Sequence, residues 1–431
     1  MEQQPDSRRG ADRRYLLVCA LLLIAAFAAR AHNTLLFPPL RDYDGIGHAL
    51  NIVSVREGRI PDPRSWSGFH PPLYYAVAAL VWQLAPQGLP AHVVFRWVSL
   101  AVGLLALAAT WRFLRPRVGD VDATIVVTLV ACSGVVTVAT SMLGNETTCA
   151  LFATLALTRS ASVQDRRLRS VLPTALLCAL AAGAKATGWV VTAVVALAEA
   201  ARRRRSPQRA LAAAALVMGV PLLALAPYYA VALHGANAAP ISLVTGASLS
   251  PDAAAMMATQ PPGTRALDDY LTFPLDALVS PSIDRPSLQL SVWGLLYAST
   301  WADGHGQFLP PGNPSVRRAN EALALGGLLP TALAMLGAAL VVVRRQATAW
   351  ARLPLAFFVV LLAAFVRYTW VIPHCSAVKA SYLLSALLPG SILLALGLGA
   401  LGPRCRTVAR GALLVFSAAS AGTFWLGAWV R

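Results

Sequence analysis

Apolar stretches of membrane-crossing length recur along the whole chain, with short polar segments between them. A helix of about 20 apolar residues spans the hydrocarbon core of a bilayer. The pattern predicts clear membrane spans at about residues 15–31, 93–114, 121–141, 146–160, 209–233, 320–343, 350–371, 379–401 and 407–429. We therefore expect an all-α polytopic membrane protein that forms a single integral domain over residues 1–431.

Two further apolar segments are ambiguous, and the positions of the arginines decide between the alternatives. Segment 71–85 begins with a Pro-Pro pair and is short for a span, which suits a helix on the outer face. Segment 171–199 has arginine clusters at both ends. If 71–85 does not cross and 171–199 is a tight hairpin, all major arginine clusters are cytoplasmic, as the positive-inside rule requires. This arrangement gives about eleven crossings and a recessed hairpin tip that contains Lys185.

Composition and charge agree with this class of protein. The chain is 57% hydrophobic and 13% charged, with a mean hydropathy of +0.60, whereas a soluble domain has about a quarter charged residues. The net charge of +17 comes mostly from arginines in short loops, which is a topology signal and not a nucleic-acid-binding surface. The six cysteines form no CxxC site. An ordinary soluble enzyme and a nucleic-acid-binding protein are therefore excluded.

Two long outer segments, residues 32–92 and 234–319, are the places left for chemistry. The first should hold a surface helix over residues 44–56, because apolar residues recur there at helical spacing. The second is a lid or a packed cap. Its carboxylates lie beside aromatic residues that include Trp293 and Trp301, a combination that suits sugar binding.

Two carboxylates, Asp42 and Asp44, precede the surface helix. They can be helix caps, favoured there by the helix dipole. They can also be a base that takes a proton from an acceptor hydroxyl, or ligands of a divalent metal. His48 lies four residues after Asp44, on the same helical face. Lys185 is a functional candidate because an unpaired lysine within a membrane is costly.

Six motifs, taken in order, resemble those of the GT-C glycosyltransferases. They are Asp-x-x-x-His at 44–48, FHPPLYY at 69–75, SMLGNET at 141–147, GAKATG at 183–188, SVWGLLYASTW at 291–301 and VKASYLLSALLPG at 378–390. The resemblance is greatest to the group of protein O-mannosyltransferases, aminoarabinose transferases and lipopolysaccharide galacturonosyltransferases. It implies the GT-C fold and inverting transfer of a sugar from a polyprenyl-phosphate donor, on the outer face of a bacterial-type plasma membrane.

The same resemblance implies roles for individual residues. Asp44 matches the presumed base. Many relatives have an acidic residue where this chain has Gly45, so Asp42 can supply the second carboxylate, and the base assignment stays open between Asp42 and Asp44. Lys185 and Lys379 would bind the carrier phosphate. Metal dependence stays open as well.

Further residues follow from the resemblance. His70 takes the place of a lysine that faces the lipid phosphate in aminoarabinose transferases. Tyr382 and Arg367 are weaker candidates than the two lysines for binding the carrier phosphate. Asn145 and Glu146 lie where relatives hold acceptor or donor groups, although a helix cap explains them equally well.

Two other functions fit the sequence. A flippase for a lipid-linked sugar would use the same intramembrane charges, and a catalytically silent subunit would bind a polyprenyl lipid for a partner. Neither needs a carboxylate base at the membrane surface. Under the glycosyltransferase hypothesis, the acceptor is a glycan, a lipid or a protein.

Overall fold

The computed structural model describes residues 5–38, 41–62, 65, 67–163, 165, 167–236, 259–310, 312–343 and 349–429. Within these ranges the chain forms helices and loops and contains no strand, so the all-α prediction is confirmed. Part of the expected long outer loop (237–258) lies outside the described residues.

The helices follow the order of the apolar stretches. They are α1 Pro5–Leu36, α2 Gly45–Arg56, α3 Leu73–Leu84, α4 Ala91–Val118, α5 Asp120–Cys132, α6 Gly134–Ser141, α7 Glu146–Ser162, α8 Leu172–Ala184, α9 Thr187–Arg202, α10 Pro207–Ala236, α11 Asp276–Val279, α12 Pro286–Leu290, α13 Val292–Trp301, α14 Pro314–Gly326, α15 Leu328–Val343, α16 Arg352–Val371, α17 Leu387–Ala400 and α18 Pro403–Trp429.

In the described part of the chain, seven helical segments are long and apolar enough to cross a membrane. An eighth is added if α5 and α6, which are bent by 61° at their junction, form one span. The other predicted crossings fall on helices shorter than these, α7, α8 and α9. A count of eleven crossings therefore remains a prediction.

The bend between α5 and α6 is stabilised by hydrogen bonds from α1 and α18. Arg30 of α1, which is fully buried, donates to the carbonyl oxygen of Ala131 and to the Thr137 hydroxyl. Ser420 donates to the Cys132 carbonyl oxygen at 2.5 Å. These donors satisfy carbonyl groups at the end of α5, which would otherwise be unpaired in an apolar environment.

Segment 171–199 is the predicted hairpin. Helices α8 and α9 pack side by side, and Lys185 and Ala186 form the tip between them. The two backbones approach so closely that a Cβ on Gly188 would lie 2.1 Å from the Ala181 carbonyl oxygen. The arms have 13 and 16 residues, or about 20 and 24 Å of helix, which is less than the hydrocarbon thickness.

The arginines that flank α8 and α9 lie at the end of the hairpin opposite the tip. Arg203 donates to the Glu199 carboxylate and to the carbonyl oxygens of Asp165 and Arg167. The arginine clusters before α8 and after α9 thus lie together, far from the tip. This agrees with one arginine-rich side of the membrane, although Arg166, Arg344 and Arg345 lie outside the described residues.

The first loop contains the expected surface helix, and its two faces differ. Ile52 and His48 of α2 are buried, and Ile52 packs with Tyr74 and Tyr75 of α3. Ile46 and Leu50, by contrast, are 55% and 61% exposed. The apolar stripe that predicted the helix therefore faces away from the protein, as expected for a helix at a membrane surface.

Candidate functional site

A cavity of about 430 Å³ lies where the first loop, the hairpin tip and α16 meet. One wall is apolar and comes from a face of α16 that includes Leu361 and Phe365. The other end is polar and presents Asp44, Lys185 and Lys379. Such a cavity fits an amphipathic ligand with an apolar chain and a charged head.

Asp44 immediately precedes α2, but its side chain does not cap the helix. Its backbone is left-handed, with φ 54° and ψ 17°. Residues other than glycine adopt this region uncommonly, and such conformations cluster at functional sites. The carboxylate lines the cavity, and Oδ2 lies 3.5 Å from Nζ of Lys379. The helix-cap interpretation of Asp44 is therefore wrong.

Asp42 lies in a different environment. Its carboxylate accepts hydrogen bonds of 2.7 and 3.0 Å from Arg96, and both side chains are fully buried. Arg96 also donates to the carbonyl oxygens of Phe37 (2.7 Å) and Thr34 (3.3 Å), which fixes the loop before Asp44. Burial raises the pKa of Asp42 to about 6, and Arg96 opposes that rise. Asp42 belongs to the cavity wall as Asp44 does, but its carboxylate is fully buried against Arg96, whereas the Asp44 side chain is 22% exposed.

The two lysines converge on one aromatic ring. Nζ of Lys185 lies 4.5 Å from the ring centre of Tyr382, and Nζ of Lys379 lies 5.6 Å from it. Lys185 also forms a 2.7 Å ion pair with Glu146, and both side chains are almost completely buried. The structure therefore brings together two cations that are far apart in sequence.

Asn145 and Glu146 position the hairpin tip. Asn145 is fully buried and donates its amide hydrogen to the Ala184 carbonyl oxygen at 2.9 Å, without capping α7. Glu146 holds Lys185. Neither residue is part of the cavity wall. Their contacts explain the position of Lys185 and give no direct contact surface for an acceptor.

His48 and His70 stack on each other, with ring centroids 5.7 Å apart. Nδ1 of His48 lies 2.9 Å from the Tyr75 hydroxyl oxygen. Burial lowers the pKa of His48 and lowers that of His70 strongly, where the charge of Lys185 adds to the effect. Both imidazoles are therefore neutral at pH 7, and His70 lines the cavity as an uncharged group.

His305 is, after His70, the second histidine in the described wall of the cavity. Its Nε2 lies 3.0 Å from the Val378 carbonyl oxygen, and its ring meets the ring of Tyr43 edge-on at 5.4 Å. Burial, with help from the charge of Lys379, lowers the pKa of His305 to about 4.

The contribution of His305 to the free energy of unfolding should fall as the pH falls from about 6.5 to 4, because in this window the unfolded state protonates His305 while the folded state keeps it neutral. Asp42, whose pKa is raised to about 6, contributes with the opposite sign, so the His305 contribution is read from the difference between the wild type and a His305 variant. For His305 alone the loss at pH 5 is about 2 kcal/mol. Thermal unfolding of the purified protein across this range measures the slope. His305→Asn should lower this slope, and an unchanged slope in that variant would contradict the assignment.

The structure does not bring Trp293 and Trp301 into the cavity. The Trp293 indole donates to the Tyr270 carbonyl oxygen at 2.8 Å. The Trp301 indole donates to Thr331 at 2.9 Å, and its ring packs against Gly327. Both indoles are hydrogen-bonded within the protein, and a role for them in sugar binding stays a prediction. Arg367 is exposed and lies outside the cavity wall.

Three residues at the site carry no assigned role in the sequence prediction. Arg96 could have been identified from the sequence, because it lies inside the predicted span 93–114. A charge within an apolar span is costly and indicates either a buried partner or a function. Tyr43, whose ring lies 4.5 Å from Nζ of Lys379, stands directly between Asp42 and Asp44. His305 belongs to the polar second loop, where many polar residues occur and no pattern distinguishes one from the others.

Metal binding has no evident site here. The described residues contain no group of three His, Cys, Asp or Glu side chains that could hold a metal ion. Asp42, the expected second carboxylate, is turned away into its ion pair with Arg96. Within the described ranges, the residues at the cavity therefore do not fit a metal site of this kind.

The fold is similar to that of solved membrane glycosyltransferases. No protein-family profile and no curated protein matches the sequence. The structure of ArnT from Cupriavidus metallidurans bound to undecaprenyl phosphate matches with a TM-score of 0.55 and 14% identity over 96% of this chain and 75% of that one. Apo ArnT matches with a TM-score of 0.51 and 13% identity, over 97% of this chain and 76% of that one.

An archaeal protein shares the same architecture. The apo oligosaccharyltransferase from Archaeoglobus fulgidus matches with a TM-score of 0.50 and 14% identity, over 96% of this chain and 55% of that one. These neighbours have the GT-C fold in common. The chain is therefore an integral membrane protein with the GT-C fold, as the order of its motifs predicted.

Proposed function

We propose that this protein is a glycosyltransferase that moves a sugar from a polyprenyl-phosphate donor to an acceptor hydroxyl. The observation that carries the proposal is the cavity itself. An aspartate that caps no helix and two lysines on one tyrosine ring meet at the polar end of an apolar wall. The likeness in fold to ArnT, solved with undecaprenyl phosphate, supports the same class of donor.

The donor would lie along the cavity with its ends separated by polarity. The polyprenyl chain packs against the apolar face of α16, near Leu361 and Phe365, while its phosphate reaches Lys185 and Lys379. Two buried lysines bind a phosphate more strongly than exposed lysines would, because water screens the charges less. His70, being neutral, contributes a hydrogen bond at most.

Asp44 is the proposed base. Its carboxylate accepts the proton of the acceptor hydroxyl as the hydroxyl oxygen bonds to the anomeric carbon of the sugar. The bond from that carbon to the phosphate oxygen breaks, and polyprenyl phosphate leaves with the electron pair. A single displacement inverts the configuration of the anomeric carbon.

Lys379 links the two halves of this step. Before transfer its ammonium group lies 3.5 Å from the Asp44 carboxylate. When Asp44 takes up a proton it loses its charge, while the leaving phosphate gains charge. Lys379 can therefore exchange a carboxylate partner for the phosphate, which stabilises the transition state in a site with little water.

The outer face of the membrane is the proposed side of the reaction. Asp44, Lys185 and Lys379, the charged residues at the polar end of the cavity, follow α1, α8 and α16 respectively. The arginine clusters around Arg167 and Arg203 lie at the other end of the hairpin. By the positive-inside rule the arginine-rich end is cytoplasmic, so the cavity opens outward. The acceptor is then a glycan, lipid or protein of the cell envelope.

Mass spectrometry of the purified protein with polyprenyl-phosphate sugars tests the proposal. We expect bound donor, followed by release of free polyprenyl phosphate when envelope acceptors are added. Donor that binds but is never cleaved would favour the silent-subunit hypothesis. Donor that moves between leaflets of a vesicle without cleavage would favour the flippase.

Replacing Lys379 by methionine should lower kcat by about 10²-fold, the cost of losing one group that stabilises the charge of the transition state. Steady-state rates at saturating donor measure the effect. Arg367→Met is the matched control, because Arg367 is exposed and lies outside the cavity wall. Equal losses in the two variants would contradict a specific role for Lys379.

A further inference from the structure

We infer that the donor sugar is uncharged, with hydroxyl groups and neither an amino nor a carboxyl group, and that His305 and Gln307 bind it. This inference rests on the proposed function, since it concerns the sugar end of the same cavity. It selects one chemical class among donors that share a polyprenyl-phosphate carrier.

The position of the sugar follows from its two neighbours. Its anomeric carbon must lie between the phosphate, near Lys379, and the base, Asp44. Tyr43 contacts both Lys379 and His305, so the loop that carries His305 borders this point. Gln307 lies two residues further along the loop and also lines the cavity.

Every ionised side chain that the described wall presents already has a counter-ion in the protein. Lys185 pairs with Glu146, Lys379 with Asp44, and Asp42 with Arg96. The carrier phosphate of the donor already has to share Lys185 and Lys379 with their carboxylate partners. An ammonium or carboxylate on the sugar would add a further charge, for which the described wall holds no additional counter-ion. A buried charge without a counter-ion is strongly unfavourable, so a charged sugar is disfavoured.

Arg41 does not supply an additional positive charge to the cavity. It is exposed, it donates to the backbone carbonyl oxygen of Gln307 at 3.4 Å, and it is not part of the cavity wall. Its guanidinium is therefore not a counter-ion for a sugar carboxylate within the cavity.

The uncharged groups on this side are suited to hydroxyls. The Val378 carbonyl can only accept, so Nε2 of His305 carries the hydrogen and Nδ1 is left as an acceptor. Oε1 of Gln307 is buried and has no hydrogen-bond partner. A buried acceptor without a partner is costly, and a sugar hydroxyl would satisfy each of the two.

The loop that carries these acceptors is held rigidly. The buried Asp303 carboxylate accepts hydrogen bonds from the backbone N–H groups of Gln307 (3.3 Å), Phe308 (2.8 Å) and Leu309 (2.7 Å). His305 is anchored at Val378. The acceptors are therefore in place before the sugar arrives, which favours selective binding.

Three donors with the same polyprenyl phosphate carrier test the inference: a neutral hexose, an amino sugar and a uronic acid. We expect the neutral donor to be turned over at least about 100-fold faster than either charged one, because a site discriminates strongly when buried polar groups lose their partners. A charged donor that is turned over as fast as the neutral one would overturn the inference and leave the proposed function intact. If no donor is cleaved, the proposed function fails. The dissociation constants of the three donors then test the inference separately, and we expect the neutral donor to bind most tightly.

A charge placed at the sugar end gives a second readout. Gln307→Glu should raise the ratio of amino-sugar to neutral-sugar turnover by about tenfold, a change of about 1.4 kcal/mol in relative transition-state stability. Gln83→Glu makes the same chemical change on an exposed position of α3 and should leave the ratio unchanged. The inference is wrong if Gln307→Glu, folded as judged by thermal unfolding, has the ratio of the wild type.

Discussion

Replacing Asp44 by asparagine will lower the rate of sugar transfer by about 10³-fold, within the range expected for loss of a general base. The amide has nearly the shape of the carboxylate, but it cannot accept the proton of the acceptor hydroxyl. Donor binding should change little, because the apolar wall and both lysines are retained. Initial rates at saturating donor, with donor affinity from native mass spectrometry, separate the two effects.

The matched control for this variant is Asp42→Asn. Asp42 is buried against Arg96 and does not share the exposure of Asp44. We expect Asp42→Asn to lower stability first and to retain measurable turnover in the folded fraction. Normal turnover in Asp44→Asn, or a complete loss in Asp42→Asn with stability unchanged, would reverse the assignment of the base.

Replacing Arg96 by methionine will destabilise the protein by about 3 to 5 kcal/mol, the usual cost of breaking a buried ion pair. The change leaves the Asp42 carboxylate buried without a counter-ion and removes donors from the carbonyl oxygens of Thr34, Phe37 and Pro38. The loop before Asp44 would lose its anchor. Thermal unfolding in detergent measures the effect.

The double variant Asp42→Asn/Arg96→Met separates charge from packing. It removes both members of the ion pair, so it should recover part of the stability lost in Arg96→Met. If the double variant is less stable than Arg96→Met by the full cost of Asp42→Asn, the two residues act independently. That result would contradict the proposal that Asp42 and Arg96 act together as one buried ion pair that stabilises the loop before Asp44.

The features that were predictable from sequence are those with a local signal. The surface helix at Gly45–Arg56 follows from helical spacing of apolar residues, and the hairpin at 171–199 follows from the arginines at its ends. Lys185 stands at the tip because the chain turns at GAKATG. The fold class follows from the length of the apolar stretches.

Distant partners could not be predicted in this way. Asp42 and Asp44 are equivalent in the sequence, and the residue that distinguishes them is Arg96, 54 positions beyond Asp42. The bend at the end of α5 depends on Arg30 of α1, 101 positions before Ala131. Trp301 has the character of a sugar-binding residue in a polar loop, and its ring packs against Phe416. Periodicity describes one helix at a time and does not contain such pairings.

The most direct test of the central claim follows a donor whose sugar is isotopically labelled, with purified protein and envelope acceptors. The account predicts one labelled sugar on the acceptor, with inverted anomeric configuration, for each polyprenyl phosphate released. Asp44→Asn should form both products about 10³-fold more slowly. Intact donor recovered in full with the wild-type protein, or labelled product formed equally by Asp44→Asn, would contradict the account.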